Sequence, residues 1–410
     1  MTQRGLAHFR YGAAVAAGLL CSTALAGTHR IDPKRLPPPY ATQSADNGPH
    51  LVARPPGAAL HAPPGFHVAE WAGGLRTPRV MAVAPNGDVF VSEHGPGRVV
   101  VLRDSHGQGR PDVRSVFASH LTQPFGLAFY PPGPRPRFLY VANIDSVVRY
   151  PYRAGDLTAR GPAQTVVPHL PGYGYHQHWT RRIVFRPDGR KMYVSVGSKS
   201  NVGVEEARRA AILEFNPDGS GPRVYASGLR NAVGLAFNPV SGALWAAVNE
   251  RDGLGDDLPP DYVTSVRPGG FYGWPYFYIG AHPDRRVPAR PQLASRVIVP
   301  DVLLQAHSAA LSVLFYTGIQ FPPAYRNQAF VGLHGSWNRA KKTGYKVVLL
   351  PFGPDGKARG DYQDFVWGWE TPRGQVWGRP VDVAQMRDGS LLISDDGGGR
   401  LWRVTYLPSR

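Results

Sequence analysis

His178 lies in the run Tyr173-Gly174-Tyr175-His176-Gln177-His178-Trp179-Thr180-Arg181, directly before a strand-like segment. An imidazole titrates near neutral pH, so it can take a proton from a hydroxyl and give it up again under ordinary conditions. His176 is the rival for that role. The His-x-His spacing also admits zinc, but no third ligand at a suitable spacing accompanies the pair. A second grouping is basic. Only seven lysines occur, and Lys341, Lys342 and Lys346 fall within one loop region. In a chain that otherwise chooses arginine, this cluster reads either as a grip on an anionic ligand or as a solvated loop tip. A third grouping is acidic: Asp252, Asp256 and Asp257 fall within one short stretch and can order a turn.

The elements that must hold these side chains repeat along the chain. An apolar alternation, a Pro/Asp/Gly turn and a second apolar run recur six times. The copies run from Val80 to Val91, Gly126 to Val141, Ile183 to Val194, Gly234 to Ala246, Gly318 to Val331 and Val381 to Ile393. Alternation around a glycine-bearing turn is a hairpin signature, and six such units predict six four-stranded blades. Arg98–Leu102 and Arg400–Val404 read as the last strands of their blades. No stretch shows a sustained helical period, and 48 glycines with 41 prolines favour short strands joined by turns. The expected fold is all-β, a six-bladed β-propeller with four-stranded blades around a central channel; a long β-sandwich or two smaller β domains is the alternative. Phe66–Trp71 is expected to close the ring as the outer strand of the C-terminal blade. His178, on a loop opening the third repeat, is then placed at the channel mouth.

Arg4 and Arg10 precede an apolar run from Gly12 to Ala26, the layout of a secretory signal peptide over residues 1–26 with cleavage after Ala26. The run is too short for a membrane span, and Leu20 before Cys21 does not suit a lipoprotein site. The expected location is periplasmic or secreted. Cys21 is the only cysteine, so the mature chain has no disulfide, thiolate metal site or haem attachment pair. Residues 27–63 read as a Pro-rich extended lead-in, and 64–407 as the propeller domain. The formal charge of +17 falls to +15 without Arg4 and Arg10, because residues 1–26 contain no acid. The arginines are scattered and no basic run appears, which argues against nucleic acid. The excess fits attraction to an acidic envelope surface and a positive field over an anionic ligand.

Seven motifs occur in order: Gly65-Phe66; His178-Trp179-Thr180-Arg181; Gly228-Leu229-Arg230-Asn231; Asn249-Glu250-Arg251-Asp252 with Asp256-Asp257; Gly270-Phe271-Tyr272-Gly273-Trp274-Pro275; His334-Gly335-Ser336-Trp337-Asn338-Arg339; and Gly378-Arg379-Pro380-Val381-Asp382-Val383. Together they resemble the glucose/sorbosone dehydrogenase family from about residue 64 to 407. These are six-bladed quinoproteins that bind pyrroloquinoline quinone (PQQ) and calcium at the top of the channel. The resemblance implies oxidation of a sugar or sugar-derived aldehyde, of the aldose or sorbosone type, by hydride transfer to the quinone.

On that resemblance His178 is the general base. Arg230, which also stabilises charge developing in the reaction, joins Asn231 in holding the cofactor, as does Arg379. The third basic contact falls among Arg339, Lys341 and Lys342, with Arg339 the first choice. Calcium is implied on the backbone at Asp252 and Gly253, where the family commonly has Gly-Pro. Tyr175, Trp179, Trp337 and Trp377 are candidates for stacking on a sugar ring, although propellers also bury aromatics between blades. No haem motif follows the propeller, so electrons would pass to a separate periplasmic carrier or membrane quinone system. Two other readings stay open: a metal-dependent propeller lactonase using Glu93, Asn143, Asn249 and Asp395, and a non-catalytic binding propeller that has lost the cofactor.

Overall fold

The computed structural model describes residues 27–173 and 178–408. The expected signal peptide with Cys21, and the loop residues Tyr175 and His176, lie outside them. The first repeat shows how each unit folds. Pro78–Val83 alternates toward Val89–Glu93 across the turn Pro85-Asn86-Gly87, with Gly87 at φ +98° and Asn86 Nδ2 donating to Asp88 Oδ2 at 2.7 Å. A side chain would be strained in that left-handed backbone, so glycine sets the reversal. Arg98–Arg103 and Val113–Ala118 complete the blade.

The same four-stranded meander recurs. Blade two is Gly126–Tyr130, Phe138–Ala142, Val147–Pro151 and Gln164–Val167. Blade three is Ile183–Phe185, Met192–Val196, Ala211–Phe215 and Arg223–Ser227, with Gly270–Phe271 added in parallel at its edge. Blade four is Asn231–Phe237, Leu244–Asn249, Asp261–Ser265 and Val302–Leu304. Blade five is Leu314–Phe315, Ala329–Leu333, Lys346–Leu350 and Asp361–Val366, to which Thr28–Arg30 adds a fifth strand. Blade six is Pro380–Gln385, Leu391–Asp395, Arg400–Tyr406 and, from the other end of the chain, Phe66–Ala72. That pairing closes the ring as expected and leaves the circle of blades without a gap.

Two strand expectations change. Arg98–Arg103 and Arg400–Tyr406 are third strands, not last ones, since each has a further strand outside it. The inner strand of blade five is Leu314–Phe315 rather than Gly318–Phe321, because Pro322 and Pro323 cannot donate to a ladder. That segment turns through Pro323–Tyr325 and is pinned by Tyr316, whose hydroxyl accepts from Phe321 N at 3.0 Å and donates to Gly389 O at 2.8 Å.

The core lies between blades. Phe90, Phe117, Phe129 and Tyr152 interlock edge-on between blades one and two, and Trp245, Phe315 and Phe352 do so between four and five. Between five and six sit Phe321, Phe365, Trp369, Trp377 and Trp402. Trp377 is thus spent on packing, its Nε1 donating to Gly368 O at 2.8 Å. Where inner strands crowd the axis, glycine is required: a Cβ on Gly126 would stand 2.5 Å from Arg181 O. Across the channel, buried Asp382 accepts from Met81 N and from Arg182 Nη1, both at 2.9 Å, so one carboxylate links blades six, one and three.

Phe66 anchors the closing strand by edge-on contacts with Phe321, Tyr325, Phe365 and Tyr406. Phe66→Ala is expected to destabilise the protein by about 3–5 kcal/mol, the usual cost of deleting a buried phenyl. Denaturant unfolding followed by tryptophan fluorescence measures it.

Candidate active site

The loops that lead into the inner strands converge at one end of the channel around a cavity of about 330 Å³. Its wall takes His178, Trp179 and Thr180 from blade three, Arg230, Asn231, Asn249 and Asp252 from blade four, His307 and His334 from the loops around blade five, and Arg79 and Arg379 from blades one and six. A cavity of this size with a few convergent polar groups on apolar walls is the usual form of a small-molecule site.

His178 is held in place from both sides. Arg181, itself buried, donates from Nη1 to His178 O at 3.0 Å and to Thr180 O at 2.7 Å, which fixes the backbone of the loop. Gly197 lets His178 and Asn231 approach: a Cβ there would stand 2.5 Å from Asn231 Oδ1 and 2.9 Å from His178 Cβ. The ring Nδ1 lies 2.9 Å from Ser198 Oγ and 3.2 Å from Ser198 O. Ser198 has one hydroxyl proton and gives it to Ser200 O at 2.6 Å. Its oxygen is therefore the acceptor toward His178, so Nδ1 carries the proton and Nε2 the basic lone pair. Burial, and next the Arg230 guanidinium, hold the imidazole well below the ordinary histidine range, so it is neutral at neutral pH.

Arg230 is fully engaged. Nε donates to Asn201 O at 3.1 Å, Nη1 to Glu250 O at 2.6 Å and Asn249 O at 3.5 Å, and Nη2 to Asn201 Oδ1 at 2.9 Å and Asp252 Oδ2 at 3.1 Å. Asp252 also lies 3.5 Å from His307 Nδ1, whose proton affinity Asp252 and Gly255 O raise against the opposing effect of burial. Next in sequence, Arg251 points the other way, into the blade, with Glu250 at 2.9 Å and Asp284 at 3.0 Å.

The opposite wall is built on Asp396. It bonds Arg79 and accepts from His334 Nε2 at 2.8 Å, while Arg379 reaches His334 O at 3.1 Å. Burial and then Arg379 lower His334 to about 4, so it is a neutral donor, and Asp396 stays ionised between its cationic neighbours. The Arg79 guanidinium stands 5.2 Å over Trp179, which in turn meets His94 edge-on at 3.9 Å. Arg79 bonds this carboxylate, while the Arg379 guanidinium is held by the carbonyls of His334 and Gly335 and has no carboxylate bonded to it, so positive charge remains at this wall.

Of the site residues expected from sequence, His178, Arg230, Asn231, Asp252 and Arg379 come together at this cavity. Arg339 and Lys341 do not line it. Arg339 turns to Asp256 O at 2.8 Å and Asp257 at 2.7 Å, and Lys342 bonds Asn47 and Gly48, so the basic loop is tied to its surroundings rather than turned inward. Gly253, at φ +84°, donates its N–H to Asn338 at 2.9 Å. Trp179 and Trp337 line the cavity, and Trp377 does not. Arg79, His307 and Ser198 were not anticipated. Arg79 lies inside its inner strand, two places beyond the one that Arg379 takes in the sixth repeat, and no motif marked it.

Two implied groups can be tested against these atoms. Calcium would need the Asp252 oxygens, yet the carboxylate faces Arg230 and His307, and the carbonyl accepts from Asn201 Nδ2 at 3.0 Å and Arg286 Nη1 at 2.8 Å. Among the described residues no three His, Cys, Asp or Glu converge as ligands. The arrangement at Asp252 does not fit a resident divalent cation. A flat polycarboxylate does fit, because Arg379 and Arg79 face the cavity and the buried Asn231 Oδ1 and Thr180 Oγ1 have no partner in the protein. The carboxylate and amide ligands of a hydrolase do not converge. Glu93 bonds Arg76 N at 2.6 Å, Asn143 bonds Ser146 at 3.2 Å, and Asp395 binds the indoles of Trp369 and Trp402 at 3.2 and 3.0 Å; only Asn249 reaches the cavity.

The TrAA12-like family model matches residues 60–269 and 292–407. The PQQ-dependent pyranose dehydrogenase of Coprinopsis cinerea is 24% identical over 410 aligned positions, covering 84% of this chain and 54% of its own, so the chain spans about half of that relative's length. The structure of that enzyme's PQQ domain in its holo form superimposes with a TM-score of 0.71 at 23% identity, over 86% of this chain and 98% of the domain. The calcium structure of a Trichoderma reesei family AA12 enzyme gives 0.74 at 20% identity, over 87% and 98%. These structural likenesses establish the propeller.

In ¹⁵N-histidine NMR at pH 6, His178 is expected as the neutral Nδ1–H form, without protonation until the pH falls below the ordinary histidine range. Ser198→Ala is expected to mix in the Nε2–H tautomer.

Proposed function

We propose, for a chain that belongs to the TrAA12-like family, that it oxidises a sugar with pyrroloquinoline quinone as cofactor, with His178 as the base. The observation that carries this reading is His178 itself: buried, neutral and locked with its basic nitrogen on Nε2, in a cavity whose other wall is cationic. The names of the relatives support the same class of reaction.

When bound, the quinone supplies a two-electron acceptor for the hydride of a carbinol carbon. His178 Nε2 takes the hydroxyl proton, and the resulting imidazolium is stabilised by Ser198 O and Oγ at Nδ1. Low proton affinity keeps the base ready at neutral pH and lets it release the proton promptly afterwards. Arg379 and Arg79 hold ligand carboxylates, and Asn231 Oδ1 can accept from a sugar hydroxyl or the cofactor. Arg230 places a positive charge beside the reacting region, where it favours the developing oxyanion. Trp179 and Trp337 give the ring apolar faces and exclude water. The aldose or sorbosone class, the separate electron acceptor, and export with cleavage after Ala26 belong to the same proposal. Gly27 O already accepts from Asp364 N at 2.9 Å, so the chain after that cleavage point is built into blade five.

Titration of the purified protein with pyrroloquinoline quinone, followed by absorbance and then by dye reduction with aldoses and sorbosone, tests the reading. Saturable binding and sugar-dependent reduction are expected. His178→Ala should retain the quinone but lose about 10²–10⁴-fold in kcat, the scale of general-base catalysis. Arg230→Ala should weaken binding and turnover together. Full activity in His178→Ala would remove the base assignment.

A further inference from the structure

The lead-in does not run free over the surface. Tyr40 N donates to Leu254 O at 2.8 Å, Asp256 N to Thr42 Oγ1 at 2.8 Å, Gly255 N to Ser44 Oγ at 3.2 Å, and Asn338 Nδ2 to Ala45 O at 2.6 Å. It then meets the loop after the second strand of blade five. Asn47 N donates to Trp337 O at 2.7 Å and Asn47 Nδ2 to Ala340 O at 2.8 Å. Val52 N and Val376 O, and Val376 N and His50 O, bond at 2.9 Å each. Between these ties Pro49 forms part of the cavity wall, as Trp337 does.

The fastening point is Lys342. Its Nζ lies 2.6 Å from Asn47 Oδ1, 2.8 Å from Asn47 O and 3.0 Å from Gly48 O, so all three ammonium protons are spent on the lead-in. Lys342, one of the three basic residues offered for the third cofactor contact, is thus turned to the lead-in. The strap is also continuous with the reacting side of the site. Asn338 joins Ala45 O to Gly253 N, and the loop it grips presents Asp252 to Arg230.

We propose that residues 40–52, latched by Lys342 onto Asn47, are a specificity element. They wall the channel mouth along blades four to six and confine the site to one sugar ring, excluding the further units of an oligosaccharide. Pro49 stands in the cavity wall together with Trp337, to whose carbonyl Asn47 N is bonded, so the strap borders the space that a sugar would enter. This inference rests on the sugar-oxidising reading above.

The test compares wild type with Lys342→Met, which keeps the aliphatic stem, and Asn47→Ala. Hydrogen exchange over residues 40–52 reports the latch, and kcat/KM for monosaccharides against maltotriose and cellotriose reports selectivity. Faster exchange in the strap is expected in both variants. The monosaccharide preference should fall about tenfold, the scale on which one steric contact discriminates between substrates. Monosaccharide kcat/KM itself should stay within about threefold, since neither residue touches the reacting groups. Unchanged exchange in both variants overturns the latch. Faster exchange with unchanged selectivity, or a wild type that oxidises trisaccharides as well as monosaccharides, overturns the specificity role. A quinone-loaded wild type that oxidises no sugar overturns the reading beneath it as well, and does so before any variant is made.

Discussion

The site depends on one guanidinium. Arg230 makes five donations, to the carbonyl and side-chain oxygens of Asn201 and to Asn249, Glu250 and Asp252 in the following loop. Its own carbonyl accepts from Ser198 N at 2.8 Å, and Ser198 is the partner of His178. His178 on blade three and the acidic loop on blade four are therefore referred to the same side chain. A buried guanidinium holds such a geometry well because its five donors lie in one plane at fixed angles, and each acceptor left without it would carry a desolvation cost. The same bonds explain why Asp252 does not offer its oxygens to a cation: the positive charge in that place is already covalently part of the chain.

The second wall balances charge differently. Asp396 compensates Arg79 and Arg379 incompletely, and His334 beside them is kept neutral by burial. Arg79 and Arg379 thus bring positive charge to that side of the channel mouth. His178 lies across from it in a dry setting that keeps it unprotonated. Low dielectric strengthens both effects, since it favours the neutral imidazole and raises the attraction between guanidinium and carboxylate.

Much of this was legible in the sequence. Six hairpin repeats report a propeller because alternation and turn glycines are local properties, and Phe66–Trp71 was recognisable as a strand without a partner in its own repeat. His178, Arg230, Asn231 and Arg379 were readable because the motifs that carry them stand in the order of the family they resemble, and His178 also because its loop opens an inner strand. Arg79, one residue inside the first inner strand, belongs to no such motif and was missed. The basic loop misled, because nothing local tells Lys342 that Asn47, nearly three hundred residues earlier, will take all its protons. The lead-in misled for the same reason: its prolines speak of extension, not of the channel rim against which it lies. Blade five was misplaced because the pattern from Gly318 carries the right alternation but runs into Pro322 and Pro323.

The most direct measurement is a crystal structure of the protein equilibrated with pyrroloquinoline quinone. The account predicts the quinone in the channel-mouth cavity, with a carboxylate on Arg379 or Arg79 and with His178 Nε2 facing the space left for a sugar hydroxyl. A quinone bound elsewhere on the propeller, or a cavity empty at saturating quinone, would contradict it.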